Sequence, residues 1–343
     1  MSNGIYYSDY LQLDKILQAQ TLESDKAGEH AHDEMLFIVI HQSYELWFKQ
    51  ILYEVKSVME LLSKPTISDN SPDLFIINHR LNRVVVILDV LVHQIDILET
   101  MTPLDFLDFR NRLRPASGFQ SVQFKELEAL LGLRMHQRYG KEYYTSQLRP
   151  EDKQRIEQIE NTKSLRQLVN EWLERMPFFD EPSLWPQGWG AGAAHPFWQT
   201  YRALYASSLM PEESYNLEQF DLLVMSENAS ADYGMTPRAR RAALFILLYR
   251  DYPLFQLPFQ LINNLLEIDN TLSNWRYRHL NMVHRMIGTR TGTGGSTGKD
   301  YLFGALQSHY IFKEFAALTS FMIERGKLPA LSPELCRRLG FET

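Results

Sequence analysis

The chain has one cysteine, Cys336, in 343 residues. That excludes an internal disulfide framework and any thiolate metal cluster, and it suits a reducing compartment. No apolar run approaches the roughly 20 residues needed to span a bilayer; the longest, such as AALFILLY at 242–249, fit a buried helix. The N-terminus, MSNGIYYSDYLQLD, lacks the basic stretch followed by an apolar one that marks a secretory signal. Positive charge is not in excess either: 35 Lys and Arg against 42 Asp and Glu give a net charge of −7. The chain therefore carries no electrostatic footprint for nucleic acid or an anionic membrane. The expectation is a cytoplasmic globular protein. What the chain does have is 45% hydrophobic and 12% aromatic residues, enough for a large core or for a pocket around something flat.

Alternating, strand-like patterns are absent and helical periodicity dominates. Apolar residues recur at three- and four-residue intervals from His32 to Leu62. A second long helix is expected from Pro72 to Thr100 and a third from Pro253 to Ile287. Thr102-Pro103 closes the second, and Arg114-Pro115 stops a short helix after it, because a residue preceding proline avoids the helical region. Ser117 with Gln120 has the form of a capping box opening a helix that ends at Gly132. Between 134 and 210 a charged stretch gives way to FFDEPSLWPQGWGAGAAHPFW, rich in Pro, Gly and Trp. The expected architecture is all-α: a bundle of long helices formed by 1–133 and 211–343, with a small helical subdomain and loop inserted at 134–210.

One glycine-rich tract, TGTGGSTGKD at 291–300, invites comparison with a phosphate-binding loop and fails it. Such a loop needs Gly, four residues, then Gly-Lys-Ser/Thr, entered from a strand. Here the first glycine position holds Thr293, the residue after Lys299 is Asp300, and the tract leaves a helix. A loop that closes on a ligand and a flexible surface loop both fit its composition.

Two histidines lie on apolar helical stripes. Trp275, His279, Met282 and Met286 fall at four-three-four spacing; Phe37, His41, Tyr44 and Phe48 form a similar stripe. His284, five residues after His279, is turned away by roughly 140° and cannot serve the same centre. Either histidine alone reads as a satisfied core residue. Two on separate long helices, in an aromatic-rich chain without thiolate ligands, also suit a haem pocket with one axial and one distal imidazole. No His-Glu-x-x-His spacing points to zinc, and HAHDE at 30–34 reads as a polar helix start. Phe106 and Arg110, four apart, would put a ring and a guanidinium on one helical face, as a substrate with a flat part and a carboxylate needs. With Arg112 and Arg114 close by, a surface arginine is the leading reading of Arg110 from these residues alone.

Taken together, HDEMLFIVIHQSYELWFKQILYEV, LETMTPLDFLDFRNRLRPASGFQSVQF and WRYRHLNMVHRMIGTRTGTGGSTGKDYL resemble the three signature regions of the tryptophan 2,3-dioxygenase family. YYSDYLQLDKILQAQ is similar to that family's N-terminal segment. The resemblance implies an all-helical homotetramer with one haem b per subunit. The enzyme would act on L-tryptophan and O2 to give N-formyl-L-kynurenine, the first step of the kynurenine pathway. It implies His279 as the proximal iron ligand and His41 as the distal residue that hydrogen-bonds the indole N–H. Phe37 and Phe106 would line the substrate pocket and Arg110 would clamp the carboxylate. Thr293 would bind the substrate ammonium group, and Ser117 and Gly118 would lie on the distal side of the cofactor. Tyr7, Tyr10 and Leu11, within a subunit-exchanging segment 1–25, would complete a neighbouring subunit's pocket. Two other readings stand beside this one: a haem monooxygenase acting on a tryptophan derivative, and a non-catalytic haem sensor.

Overall fold

A three-four spacing of apolar residues builds the centre of the molecule. In the helix Pro72–Leu98 the buried positions include Leu74, Ile77, Leu81, Val84, Leu88, Leu91, Ile95 and Leu98. In Gln256–Ile287 they include Pro258, Leu261, Leu265, Ile268 and Leu272. Steps alternating between three and four average 3.5 residues, the repeat that keeps one seam facing a partner helix. The two helices accordingly pack against each other along that seam.

The computed structural model describes residues 4–65, 71–139, 141–186, 188–227, 234–288, 290 and 299–340, and among them there is no strand. We label the helices used below α1 (Tyr7–Leu11), α2 (Leu13–Leu17), α3 (Glu34–Leu62), α4 (Pro72–Leu98) and α5 (Pro103–Arg110). They continue as α6 (Val122–Leu131), α7 (Leu165–Glu174), α8 (Pro196–Ser208), α9 (Pro237–Leu248), α10 (Gln256–Ile287) and α11 (Lys299–Ser308). The all-α expectation holds, and among the described residues no helix is long and apolar enough to cross a membrane.

Helix ends follow local chemistry. Ser71 accepts from the Leu74 N–H with Pro72 behind it, and Thr102 forms a reciprocal capping box with Asp105 ahead of α5. The Ser117–Gln120 box is present, but it caps a single 3-10 turn, Gly118–Gln120, and not the longer helix expected from the sequence. Ser121 has extended backbone and breaks the run; its own side chain accepts from Phe124 N–H and opens α6.

The seam between α4 and α10 is not wholly apolar. Asn264 donates to both the carbonyl and the side-chain oxygen of Asn78, and Asn78 donates to the carbonyls of Leu74 and Leu257. A buried amide pair of this kind is satisfied at one register only. Helix α3 lies on α4 through Ile51, Val55, Val58 and Leu62, and the Tyr44 hydroxyl donates to Leu91 O at 2.6 Å. Leu168 and Trp172 of α7, Trp198 and Tyr201 of α8 and Phe245 of α9 belong to the same continuous core. Helices α1 and α2, by contrast, bury no residue.

Candidate active site

Where α3, α5, α6, α10 and α11 meet, their side chains enclose a deep cavity. Helix α3 brings Phe37 and His41 to it on one stripe, four residues apart. The His41 ring lies against Phe37 with centroids 4.1 Å apart, and its Nδ1 is 2.7 Å from the Phe37 carbonyl. A carbonyl only accepts, so Nδ1 carries the proton and Nε2 keeps a lone pair. Burial lowers the His41 pKa, against the opposing effects of the Phe37 hydrogen bond and the Glu45 charge. The ring is thus a neutral acceptor at neutral pH.

Helix α5 contributes Phe106 and Arg110. Phe106 packs 5.7 Å from Phe37 and 5.5 Å from Phe109, forming an aromatic wall. Arg110 is only 4% exposed and lines the cavity. The surface-arginine reading is therefore overturned: Arg112 and Arg114 are more accessible, whereas one turn of helix after Phe106 carries Arg110 inward. Its pKa is lowered by burial and then by the charges of Arg114 and Arg290, so the guanidinium sits in a field that favours an incoming anion.

The opposite wall is α10. His279 lines the cavity and stacks parallel to Trp275, with centroids 5.2 Å apart and planes within 2°. Trp275 is held in turn by Tyr44 and Phe124. Beside it Arg278 pairs with Asp96 at 2.6 Å and Glu99 at 3.1 Å, pinning this turn of α10 to the end of α4. Burial, and then the neighbouring His41, lowers His279 to about 4, which leaves it neutral. Its Nδ1 is buried with no hydrogen-bond partner. A neutral imidazole on an apolar wall of methionines, Met282 and Met286, is suited to hold one metal ion supplied with its remaining donors. His284 is exposed on the other side of the helix, as its spacing requires.

The structure therefore brings Phe37, His41, Phe106, Arg110, Ser117, Gly118 and His279 to one cavity. Tyr7 and Tyr10 stand away from it, 74% and 71% exposed, and Leu11 is partly exposed beside them. Thr293 lies outside the described residues. His30 pairs with Asp25 on the surface, 2.7 Å away, and takes no part. Sequence reasoning missed the polar end of the cavity, lined by Lys125, Glu128, Tyr144, Arg276 and His309. Lys125 and Glu128 stand three apart on α6, a spacing that reads as an exposed ion pair, and nothing local marks them as buried.

The family described as tryptophan 2,3-dioxygenase matches residues 1–191 and 215–322 of the chain. Among curated relatives, the tryptophan 2,3-dioxygenase of Alteromonas mediterranea is 42% identical, the alignment covering 98% of this chain and 97% of that protein. Tryptophan 2,3-dioxygenase B of Danio rerio is 40% identical over 97% of this chain and 85% of its own length. The Rattus norvegicus tryptophan 2,3-dioxygenase is 39% identical, over 96% and 85% respectively.

Proposed function

The chain belongs to the tryptophan 2,3-dioxygenase family, and from that premise we propose how its own residues serve the reaction. The enzyme inserts both atoms of O2 across the indole C2–C3 bond of L-tryptophan and gives N-formyl-L-kynurenine, opening the kynurenine pathway. The C2–C3 and O–O bonds break, two carbonyls form, and no outside reductant is consumed.

The observation that carries the site assignment is the convergence of His41, Arg110 and His279 on one cavity with aromatic walls. We assign haem b as the cofactor, with His279 as its protein ligand. The fit rests on a neutral imidazole, its Nδ1 orphaned and its plane fixed by Trp275, beside an apolar wall on α10. When bound, haem supplies the iron chemistry that joins O2 to the ring; the protein's part is orientation.

Arg110 binds the tryptophan carboxylate, a bidentate partner for a guanidinium that is already desolvated. Phe37 and Phe106, packed on each other, give the aromatic wall against which the indole lies. His41, its Nδ1–H committed to Phe37 O, accepts the indole N–H at Nε2 and fixes which edge of the ring faces the cofactor. It orients and polarises the indole without having to remove a proton. Ser117 and Gly118 line the distal side, and Thr293 binds the substrate ammonium group. The N-terminal segment, whose Tyr7 and Tyr10 are largely exposed within their own chain, completes the pocket of a second copy in a homotetramer. The lone cysteine fits a cytoplasmic setting.

The test is a product mass analysis with haem-loaded, reduced protein, L-tryptophan and 18O2. Two labelled atoms in a ring-opened product are expected. One labelled atom would make the enzyme a monooxygenase, and none, with haem bound, would leave a sensor.

A further inference from the structure

Lys125 is 5% exposed, yet its ammonium makes no hydrogen bond or ion pair with any described residue. Its nearest named contact is the Tyr144 ring, with Nζ 4.6 Å from the centroid. The ammonium is not among the fully enclosed polar atoms, so it reaches the cavity that Lys125 lines. The carboxylates nearby are committed elsewhere. Glu128 is paired with Arg138 at 2.5 Å and with Arg276 at 2.7 Å, and Glu160 lies 3.8 Å from Arg138. A buried, unpaired cation is costly, and folded proteins keep one only against a compensating charge. Lys125 also sits in the opening turn of α6, whose cap residue Ser121 lines the same cavity, so the positive end of the helix dipole adds to its field.

We propose that this end of the cavity is a carboxylate site, with Lys125 as its cation, and that it takes a propionate of the haem. The inference rests on the haem reading given above. It places the acid edge of the macrocycle on α6 while His279 holds its centre from α10. Glu128 links the two helices: it accepts from Arg276, which stands three residues before His279, and lies three residues after Lys125 on its own helix.

The pH behaviour follows from the groups that face Lys125, namely Glu128, Arg138 and Tyr144. Burial lowers Lys125 to about 8 in the unloaded protein, with Glu128 opposing the shift and Arg138 adding to it. The folded pKa lies below the ordinary lysine value of about 10.4. The unfolded chain therefore binds more protons between those values, and the unloaded protein gains stability as pH rises through that window. Haem binding, which favours the charged ammonium, takes up a proton there, so haem affinity falls as pH rises above about 8.

The experiment compares wild type, Lys125→Met and Lys125→Arg, each as unloaded full-length protein given haemin or iron protoporphyrin dimethyl ester. Loss is timed by transfer to excess apomyoglobin. Wild type should hold haemin about 10- to 100-fold longer than the ester. Lys125→Met should lose haemin faster by a similar factor, treat acid and ester alike, and lose the affinity change above pH 8; Lys125→Arg should stay close to wild type. Unloaded Lys125→Met should melt no lower than unloaded wild type, because an unpaired buried charge has gone, and this separates the proposal from simple misfolding. A wild-type haemin half-life in Lys125→Met overturns the proposal. So does a raised KM for tryptophan with haemin loss unchanged, which would give the ammonium to the substrate carboxylate instead. Wild type that binds ester and acid equally overturns this proposal alone, whereas wild type that takes up neither overturns the haem reading with it.

Discussion

Two histidines of this chain look alike by every local measure and stand in regions of opposite character. His195, ahead of α8, is 1% exposed, lies 4.6 Å from the Trp185 ring and 5.1 Å from that of Phe179, and is lowered to about 4 by burial. His279 is also lowered to about 4, lies against a tryptophan, and likewise has one ring nitrogen without a partner. The difference is in the other nitrogen and in the space beside it. The Nδ1 of His195 accepts from the Phe197 N–H and so caps α8, and aromatic side chains close around the ring. His279 faces a cavity into which Arg110 and His41 also project. Aromatic burial and a depressed pKa therefore describe a histidine's surroundings without naming its work; open space shared with complementary groups is what separates a candidate site residue from a cap.

The sharpest way to break this comparison is to remove each ring in turn. His279→Ala should abolish stoichiometric haem uptake, read by absorbance and iron content; retention of a full complement would take the ligand role from His279 and leave His41 as the cavity imidazole to test next. Arg110→Leu should come next. It should leave haem in place and lower kcat/KM for tryptophan about 100-fold, roughly the 3 kcal/mol of a lost charge-assisted pair. An unchanged kcat/KM would return Arg110 to a structural role despite its burial. His41→Ala should retain turnover at about a tenth of the wild-type rate, the worth of one orienting hydrogen bond. Because burial lowers His41, the acid limb of wild-type kcat/KM should lie below pH 6.5 and vanish in the variant; complete inactivity with normal haem and tryptophan affinity would make His41 an essential base. His195→Ala should move the cofactor and turnover least. A lost helix cap and some lost packing cost about 2 kcal/mol of stability, seen as a lower melting temperature with haem content untouched.

Much of this was readable from residue spacing, and the rest failed for identifiable reasons. The long helices are carried by three-four periodicity, which survives in any one-dimensional reading. His41 and His279 were recognisable as stripe residues because each breaks a run of apolar neighbours. From its local pattern alone Arg110 reads as a surface residue, because Arg112 and Arg114 imitate a solvated face, and only the packing of the structure shows which of the three turns inward. Lys125 and Glu128 were invisible because three-residue spacing of opposite charges is the ordinary pattern of an exposed helix; their burial comes from Tyr144, Arg138 and Arg276, which lie 19, 13 and 151 residues from Lys125. The helix start after Ser117 slipped by four residues because the capping box was satisfied by a single turn.

The asparagine pair in the α4–α10 seam sets a ruler for the active site. Asn264 stands 15 residues before His279 on one uninterrupted helix, so a hydrogen bond near one end fixes the position of that imidazole about 22 Å away. An all-apolar seam would tolerate a slip of one turn, and that slip would carry His279 about 5.4 Å along the helix axis, past the cavity wall. The amide pair makes such a slip leave buried donors and acceptors unmatched. The placement of His279 in the cavity wall is thus indexed, like the notch on a vernier, by two residues that never approach it.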